Sequence, residues 1–240
     1  AASDPRIRAM FEGWRSAGAD ALKSPLELND GLKAVALEAT PWIREAAGET
    51  AARKRMGVLF DRERVESESR LALDKLQASL TGSALLPWFP GGPSSPHVSL
   101  YAAIGFARLE RLAGVRRPDW SWRLVAALDA YEKDDVARRL DWCGKNNAEF
   151  RMSGFDVRWL YLHSFPEFPA GDEETDRLLK EHLEKEWPDF SVAGKALAAI
   201  VLHRGGSAAS AGKIMKSLRE LAVVSEEFGM YYKRDAFFSS

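Results

Sequence analysis

The sequence predicts an all-α fold of paired helices in two concentric layers, and three observations carry that reading. Apolar residues recur at helical spacing along almost all of the 240 residues, no stretch alternates β-branched with polar residues, and amphipathic segments coexist with one that is apolar on every side. An inner ring of helices buried by an outer one suits that mixture better than a four-helix bundle with a single seam. One domain over 1–240 is expected, because a chain of this length with 46% hydrophobic residues can bury one substantial core.

Taken in order, Asp61 reads as the N-cap of a helix. Glu63, Arg64, Glu66 and Glu68 line its exposed side, and Val65, Ala72, Leu73, Leu76 and Leu80 its buried one. From Trp120 onward, Trp120, Leu124, Ala127, Leu128 and Tyr131 share one helical face. Asp172, Glu173, Glu174 and Asp176 read as an acidic helix start, favoured by the helix dipole. The run 196–202 is apolar all round, which predicts a helix buried on most sides. Ala211, Ile214, Met215, Leu218 and Ala222 repeat the amphipathic pattern. Breakers at Ser24-Pro25, Thr40-Pro41, Gly82, 87–96, Gly114, Pro118, Gly144, Gly154, 166–171, Pro188, Gly205-Gly206 and Gly229 divide the chain into ten or more helices.

Charge and cysteine content exclude several classes of function. With 34 basic and 35 acidic side chains the net charge is -1, so the surplus of Lys and Arg that phosphate binding needs is missing and no nucleic-acid partner is expected. No run approaches the roughly 18 apolar residues of a membrane span, and none of this segment is expected in a bilayer. The opening AASDPRIR has no signal-peptide pattern; if the natural protein is exported, its signal lies outside this sequence. Cys143 is the only cysteine, which rules out an internal disulfide or a thiolate metal cage and is as compatible with the periplasm as with the cytosol.

Candidate chemistry is sparse. Cys143-Gly144-Lys145-Asn146 imitates a thioester motif, but Asn146 is one methylene short of the required Gln; Cys143 reads instead as a partly buried residue at a helix end. Asp134-Asp135 lacks the further acids that would hold magnesium and reads as a solvated helix end. His182 and Glu186, four apart, lack the third and fourth ligands of zinc. No nucleophile elbow or phosphate-binding loop occurs. The expectation is a chain with no catalytic residue, no metal and no cofactor.

One loop stands apart. Leu86-Pro87-Trp88-Phe89-Pro90-Gly91-Gly92-Pro93-Ser94-Ser95-Pro96-His97 sets two large aromatics beside two glycines and four prolines. The favoured reading is packing: Trp88 and Phe89 buried, Gly91 and Gly92 permitting a tight turn, and 90–96 running over the surface. Phe89→Ala should then cost about 3 to 5 kcal/mol. The competing reading makes Trp88, Phe89, Gly91, Gly92 and His97 a partner-binding surface.

At this loop the chain resembles the bacterial alpha-2-macroglobulin-like proteins, the large helical envelope proteins of Bacteroidetes type. Pro87-Trp88-Phe89-Pro90-Gly91-Gly92, then His97 to Tyr101 and Gly105 to Leu109, are similar to a segment of their thioester-type domain. Thr40-Pro41-Trp42-Ile43-Arg44-Glu45-Ala46, Leu59-Phe60-Asp61, Trp159-Leu160-Tyr161-Leu162-His163-Ser164-Phe165, Ala199-Ile200-Val201-Leu202-His203-Arg204-Gly205-Gly206 and Ser225-Glu226-Glu227-Phe228-Gly229-Met230-Tyr231-Tyr232 resemble further family segments in the same order. The resemblance runs from Pro5 to about Lys233. The segment 80–85 and His97 depart from it, standing where a glycine-rich turn and an aromatic are usual.

The resemblance implies an α/α toroid, incomplete at both ends, with any Cys-x-Glu-Gln thioester motif upstream of Ala1 and the closing helices beyond Ser240. It implies a non-catalytic part of an endopeptidase inhibitor in the periplasm or cell envelope, whose partners are neighbouring domains of the same polypeptide and, through the full-length protein, target proteases. An unusually apolar surface is expected where those partners belong. The alternatives are an α/α-barrel carbohydrate-active enzyme, which needs two carboxylates facing one cleft, and a purely structural helical scaffold.

Overall fold

The computed structural model describes residues 62–232 apart from residue 228. The expectations for Ser24-Pro25, for the segment 40–46 and for Asp61 as an N-cap lie outside the described residues. The chain divides into two compact units, Ala1–Leu76 and Gln77–Ser240. Seven α-helices and one two-stranded sheet are present among the described residues, so the fold there is predominantly helical. No helix among them is long and apolar enough to cross a membrane.

Helix α1, Arg62–Ala78, forms where expected, but its inward side is only partly covered: Leu73 and Leu76 are half-buried and Ala72 is exposed. The remaining helices begin and end on recognisable signals. Ser95 caps α2 (Pro96–Ala113) by accepting from the Val98 amide, Pro96 fits the first turn, and Gly114 ends the helix at φ 64°. Helix α3, Ser121–Asn146, runs through the break expected at Gly144 and stops where Asn147 turns left-handed at φ 52°. Ser153 and Asp156 form a reciprocal capping box at α4, Gly154–His163. Asp172 caps α5 (Glu173–Glu186), whose first turn carries Glu173, Glu174 and Asp176 as expected. Ser191 caps α6, Val192–Arg204, and α7 spans Ala208–Leu221.

Helix α4, buried on most sides, and helix α6 pack on each other. Helix α6 buries Val192, Lys195, Ala198, Ala199, Val201 and Leu202, which bears out the expectation for 196–202 except at Ile200, which is exposed. The ten-residue α4 buries seven of its side chains, including Trp159, Leu160 and Leu162. It packs against α2, α5 and α6, while α6 also packs against α7, and α3 against α2 and α5. The amphipathic helices cover this pair with single faces: Leu124 and Leu128 from α3, Leu179 and Leu183 from α5, Ile214 and Leu218 from α7. Full burial of each such side chain stabilises by about 1.5–3 kcal/mol. Met215, expected on the buried face of α7, is exposed.

The strands were not anticipated. β1 (Val223–Ser225) pairs antiparallel with β2 (Gly229–Tyr231) in the register Val223 with Tyr231, Val224 with Met230 and Ser225 with Gly229. The β-branched Val223-Val224 pair favours extension, and Gly229 takes φ 67°, but a three-residue strand is too short to show alternation in sequence.

Candidate functional site: an aromatic hairpin tip

The proline-rich loop is a small hairpin. The Ser95 amide donates to Leu86 O at 2.8 Å, the Trp88 amide to Pro93 O at 3.0 Å, and Pro87 and Ser94 form an antiparallel bridge. At the tip the Gly92 amide donates to Phe89 O at 2.8 Å, closing a turn with Pro90 and Gly91 at its centre. Gly91 takes φ 77°, as the third position of a type II turn requires, and Pro90 supplies the fixed φ of the second.

The base is anchored from two sides. Leu85 and Leu86 are buried, and the Leu86 amide donates to Ser99 Oγ at 2.8 Å; that fully buried hydroxyl donates in turn to Ser95 O at 2.8 Å. On the other side the hydroxyls of Thr81, Ser83 and Ser94 lie within 3.0 Å of one another, and Thr81 Oγ1 also donates to Leu85 O at 2.8 Å. Thus the stem is held by hydrogen bonds that do not involve the tip.

The tip itself faces solvent, which corrects the expectation of burial: Trp88 is 68% exposed and Phe89 55%. The reason is local. Ser99 and the two leucines fill the space beneath the stem, and the Phe89 ring folds back on its own turn, so that a Cβ on Gly92 would lie 2.9 Å from it. Of the two glycines, Gly91 is needed for its backbone angle and Gly92 for room. His97 is exposed on the first turn of α2, with its ring edge-on to Phe155 at 5.2 Å. Along the same helix Tyr101, Leu109 and Leu112 are exposed at i, i+8 and i+11, one helical face.

The other sequence candidates have structural surroundings. Cys143 is half-buried in the last turn of α3, as expected, and its carbonyl accepts from Ala148 at 3.0 Å. Asp134 and Asp135 lie mid-helix rather than at a helix end, where Asp135 pairs with Arg138 at 3.0 Å and Arg139 at 2.8 Å. His182 Nδ1 is 2.8 Å from Glu186 Oε1, and its ring packs on Phe150. Asp172 accepts from Lys133 at 2.8 Å and from the Thr175 amide and hydroxyl; the Lys133 ammonium and these donors hold its carboxyl at about 2.

One cluster escaped sequence reading. Asp156 receives Arg139 through both terminal nitrogens, at 3.0 and 2.7 Å, together with the Ser153 amide and hydroxyl at 2.8 Å each. Beside it Glu132, 1% exposed, has its carboxyl pushed up to about 9 by burial and then by the Asp156 charge and hydrogen bond, against the pull of Arg139. Both acids are buried, Glu132 at 1% exposure and Asp156 at 0%, whereas the flanking carboxylates of a glycosidase face their substrate. Its sequence signal was Glu132 on the apolar row Leu124, Leu128, Glu132, Val136 of α3.

No family model, curated protein or solved structure matches this chain.

Proposed function

We propose that the chain is a non-catalytic helical domain of a bacterial alpha-2-macroglobulin-like, protease-trapping protein of the cell envelope, part of an α/α toroid that docks against neighbouring domains of the same polypeptide. The observation that carries the docking role is the hairpin tip, where Trp88 and Phe89 stand in solvent on a stem fixed by buried hydrogen bonds. Aromatics pre-organised in this way bind with little further loss of entropy, and Trp is among the residues that most often dominate interfaces. The exposed Tyr101, Leu109 and Leu112 extend apolar surface along α2. The ordered motifs between Pro5 and Lys233 support the family, and the packing of α4 on α6 beneath amphipathic helices supports two layers.

In this reading the domain holds neighbouring domains in place until a protease cuts an exposed bait segment, and the contacts at the tip then change. Only contacts that differ between the two states can bias the switch. The test is protease capture by the intact parent protein, with small-angle scattering before and after cleavage. Retention of the protease and a change of shape are expected, both weakened by Trp88→Ala with Phe89→Ala. If the cut parent neither retains the protease nor changes shape, the trap fails and a structural scaffold takes its place.

A further inference from the structure

Tyr161, buried near the end of α4, is flanked by two arginines from other helices. Arg108, on α2, donates from Nε to the Tyr161 hydroxyl at 3.1 Å, and its guanidinium carbon lies 5.2 Å from the ring centroid. Arg204, the last residue of α6, donates from Nη1 to Ser164 Oγ at 2.8 Å and lies 4.1 Å over the Phe165 ring and 5.6 Å from the Tyr161 centroid. The two like charges share one ring, so their separation is no more than those two reaches to Tyr161 laid end to end.

Both arginine side chains are exposed, yet both are held in place. Tyr161 and Phe165 are buried and edge-on to each other at 5.3 Å, and Ser164 Oγ is tied to Tyr161 O at 2.7 Å, so the surface beneath the guanidiniums belongs to the core. Contact with a ring consumes no donor. Arg108 spends Nε and keeps the end-on fork of Nη1 and Nη2, while Arg204 spends Nη1 and keeps the side-on fork of Nε and Nη2. Neither is paired with a carboxylate among the described residues, and Glu110, two residues beyond Arg108, is taken by Arg117 at 3.1 Å. Helix ends account for one charge only: Arg204 closes α6 and reaches the C-cap of α4, where a cation is favoured, whereas Arg108 lies inside α2, more than a turn before its end. The unused capacity is therefore of one sign, two oriented guanidinium forks open to solvent.

We propose that Arg108 and Arg204 form a recognition site for an acidic segment of a partner protein, which sets one carboxylate on each guanidinium. A planar fork matches the two oxygens of a carboxylate with two parallel N–H···O bonds, and each arginine retains one complete fork. Because the rings and hydroxyls already fix both guanidiniums, little side-chain freedom is lost on binding. A run of acidic residues answers both charges, since each carboxylate rides on its own flexible stem, whereas a single small anion fills one fork. The site involves none of the hairpin residues and does not rest on the family reading.

The experiment follows the arginine Nε–H resonances of the full chain while an acetylated, amidated tetraglutamate peptide is added, with the tetraglutamine peptide as the uncharged control and inorganic phosphate as the small anion. The chain's net charge of -1 gives an acidic peptide no general attraction. Saturable shifts of Arg108 and Arg204 together, weakened by added salt, are expected with tetraglutamate alone. Arg108→Gln and Arg204→Gln should each weaken binding roughly tenfold or more, as loss of a charge-assisted hydrogen bond does. Arg116→Gln, at an exposed pair with Asp119, should leave it unchanged. Melting curves identify the folded variants, and the titration of the parent decides by itself where one is not. The proposal is overturned if tetraglutamate moves neither resonance or only one of them, if tetraglutamine or phosphate binds as well, if the folded Arg108 and Arg204 variants bind like the parent, or if Arg116→Gln weakens binding as much as they do.

Discussion

Glu132 on α3 and Asp156 on α4 form a buried carboxyl pair, 1% and 0% exposed. Every other donor around Asp156, from Arg139 and Ser153, is aimed at an accepting carboxylate. It is therefore Glu132 that keeps a proton. Burial and the neighbouring charge hold its carboxyl near 9 in the fold, against 4.5 ordinarily.

The sign of the pH dependence follows. A carboxyl raised on folding contributes fully below its unfolded value, about 4.5, and its contribution is lost as the pH rises through the folded value of about 9. One proton held only by the folded state changes the unfolding free energy by up to about 1.4 kcal/mol per pH unit. Glu132→Gln keeps the shape and a donor for Asp156 without the charge. Denaturant melts at several pH values should show it flattening the decline and raising stability at pH 8. Curves parallel to the parent's would mean that Glu132 holds no such proton.

The hairpin separates stem from tip. Trp88→Ala and Phe89→Ala remove exposed side chains and should change stability by no more than about 0.5 kcal/mol, rather than the 3 to 5 that burial would imply. Ser99→Ala leaves the buried Leu86 amide without its acceptor and should cost about 1–3 kcal/mol. Thermal melts of the three variants check this; equal losses would show that the tip packs after all.

How much of this was legible in the sequence depended on what each signal encodes. Caps and periodicity are local, so α5 with its acidic start, the apolar α6 and the face of α3 from Leu124 to Leu128 were readable. The fate of Trp88 and Phe89 was not, because hydrophobicity says what would benefit from burial while Ser99, Leu85 and Leu86 decide that the space is taken. Glu132 was passed over although its place on the row of Leu124, Leu128 and Val136 marks it as inward-facing. A charged residue on a helix's apolar face points to a partner, but the partner is on another helix and spacing does not name it.

Two glycines outside the hairpin test close approach against open space. A Cβ on Gly171 would lie 2.6 Å from Asp129 Oδ2, and Asp129 is pinned by Trp159 and by the Gly171 amide itself. Gly171→Ala should therefore cost about 1–3 kcal/mol, the usual penalty of overpacking. Gly105, inside α2, has nothing within 4 Å of its Cβ position, and Gly105→Ala should stabilise by about 0.5–1 kcal/mol. Melting temperatures moving in opposite directions are the expected result.

The hairpin glycines divide fold from docking. Gly91 takes φ 77° with open space around it, so Gly91→Ala is strained by its backbone, at about 1–2 kcal/mol. Gly92→Ala has a different obstacle: the new methyl would sit 2.9 Å from the Phe89 ring. That ring is more than half exposed, so it can swing outward instead of breaking the turn. Gly92→Ala should therefore leave the melting temperature close to the parent's while displacing the Phe89 ring resonances. If the tip docks as proposed, Gly92→Ala should also weaken that docking nearly as much as Phe89→Ala. If Gly92→Ala destabilises as much as Gly91→Ala, the ring is fixed by packing, and the tip is a rigid plug rather than a contact surface.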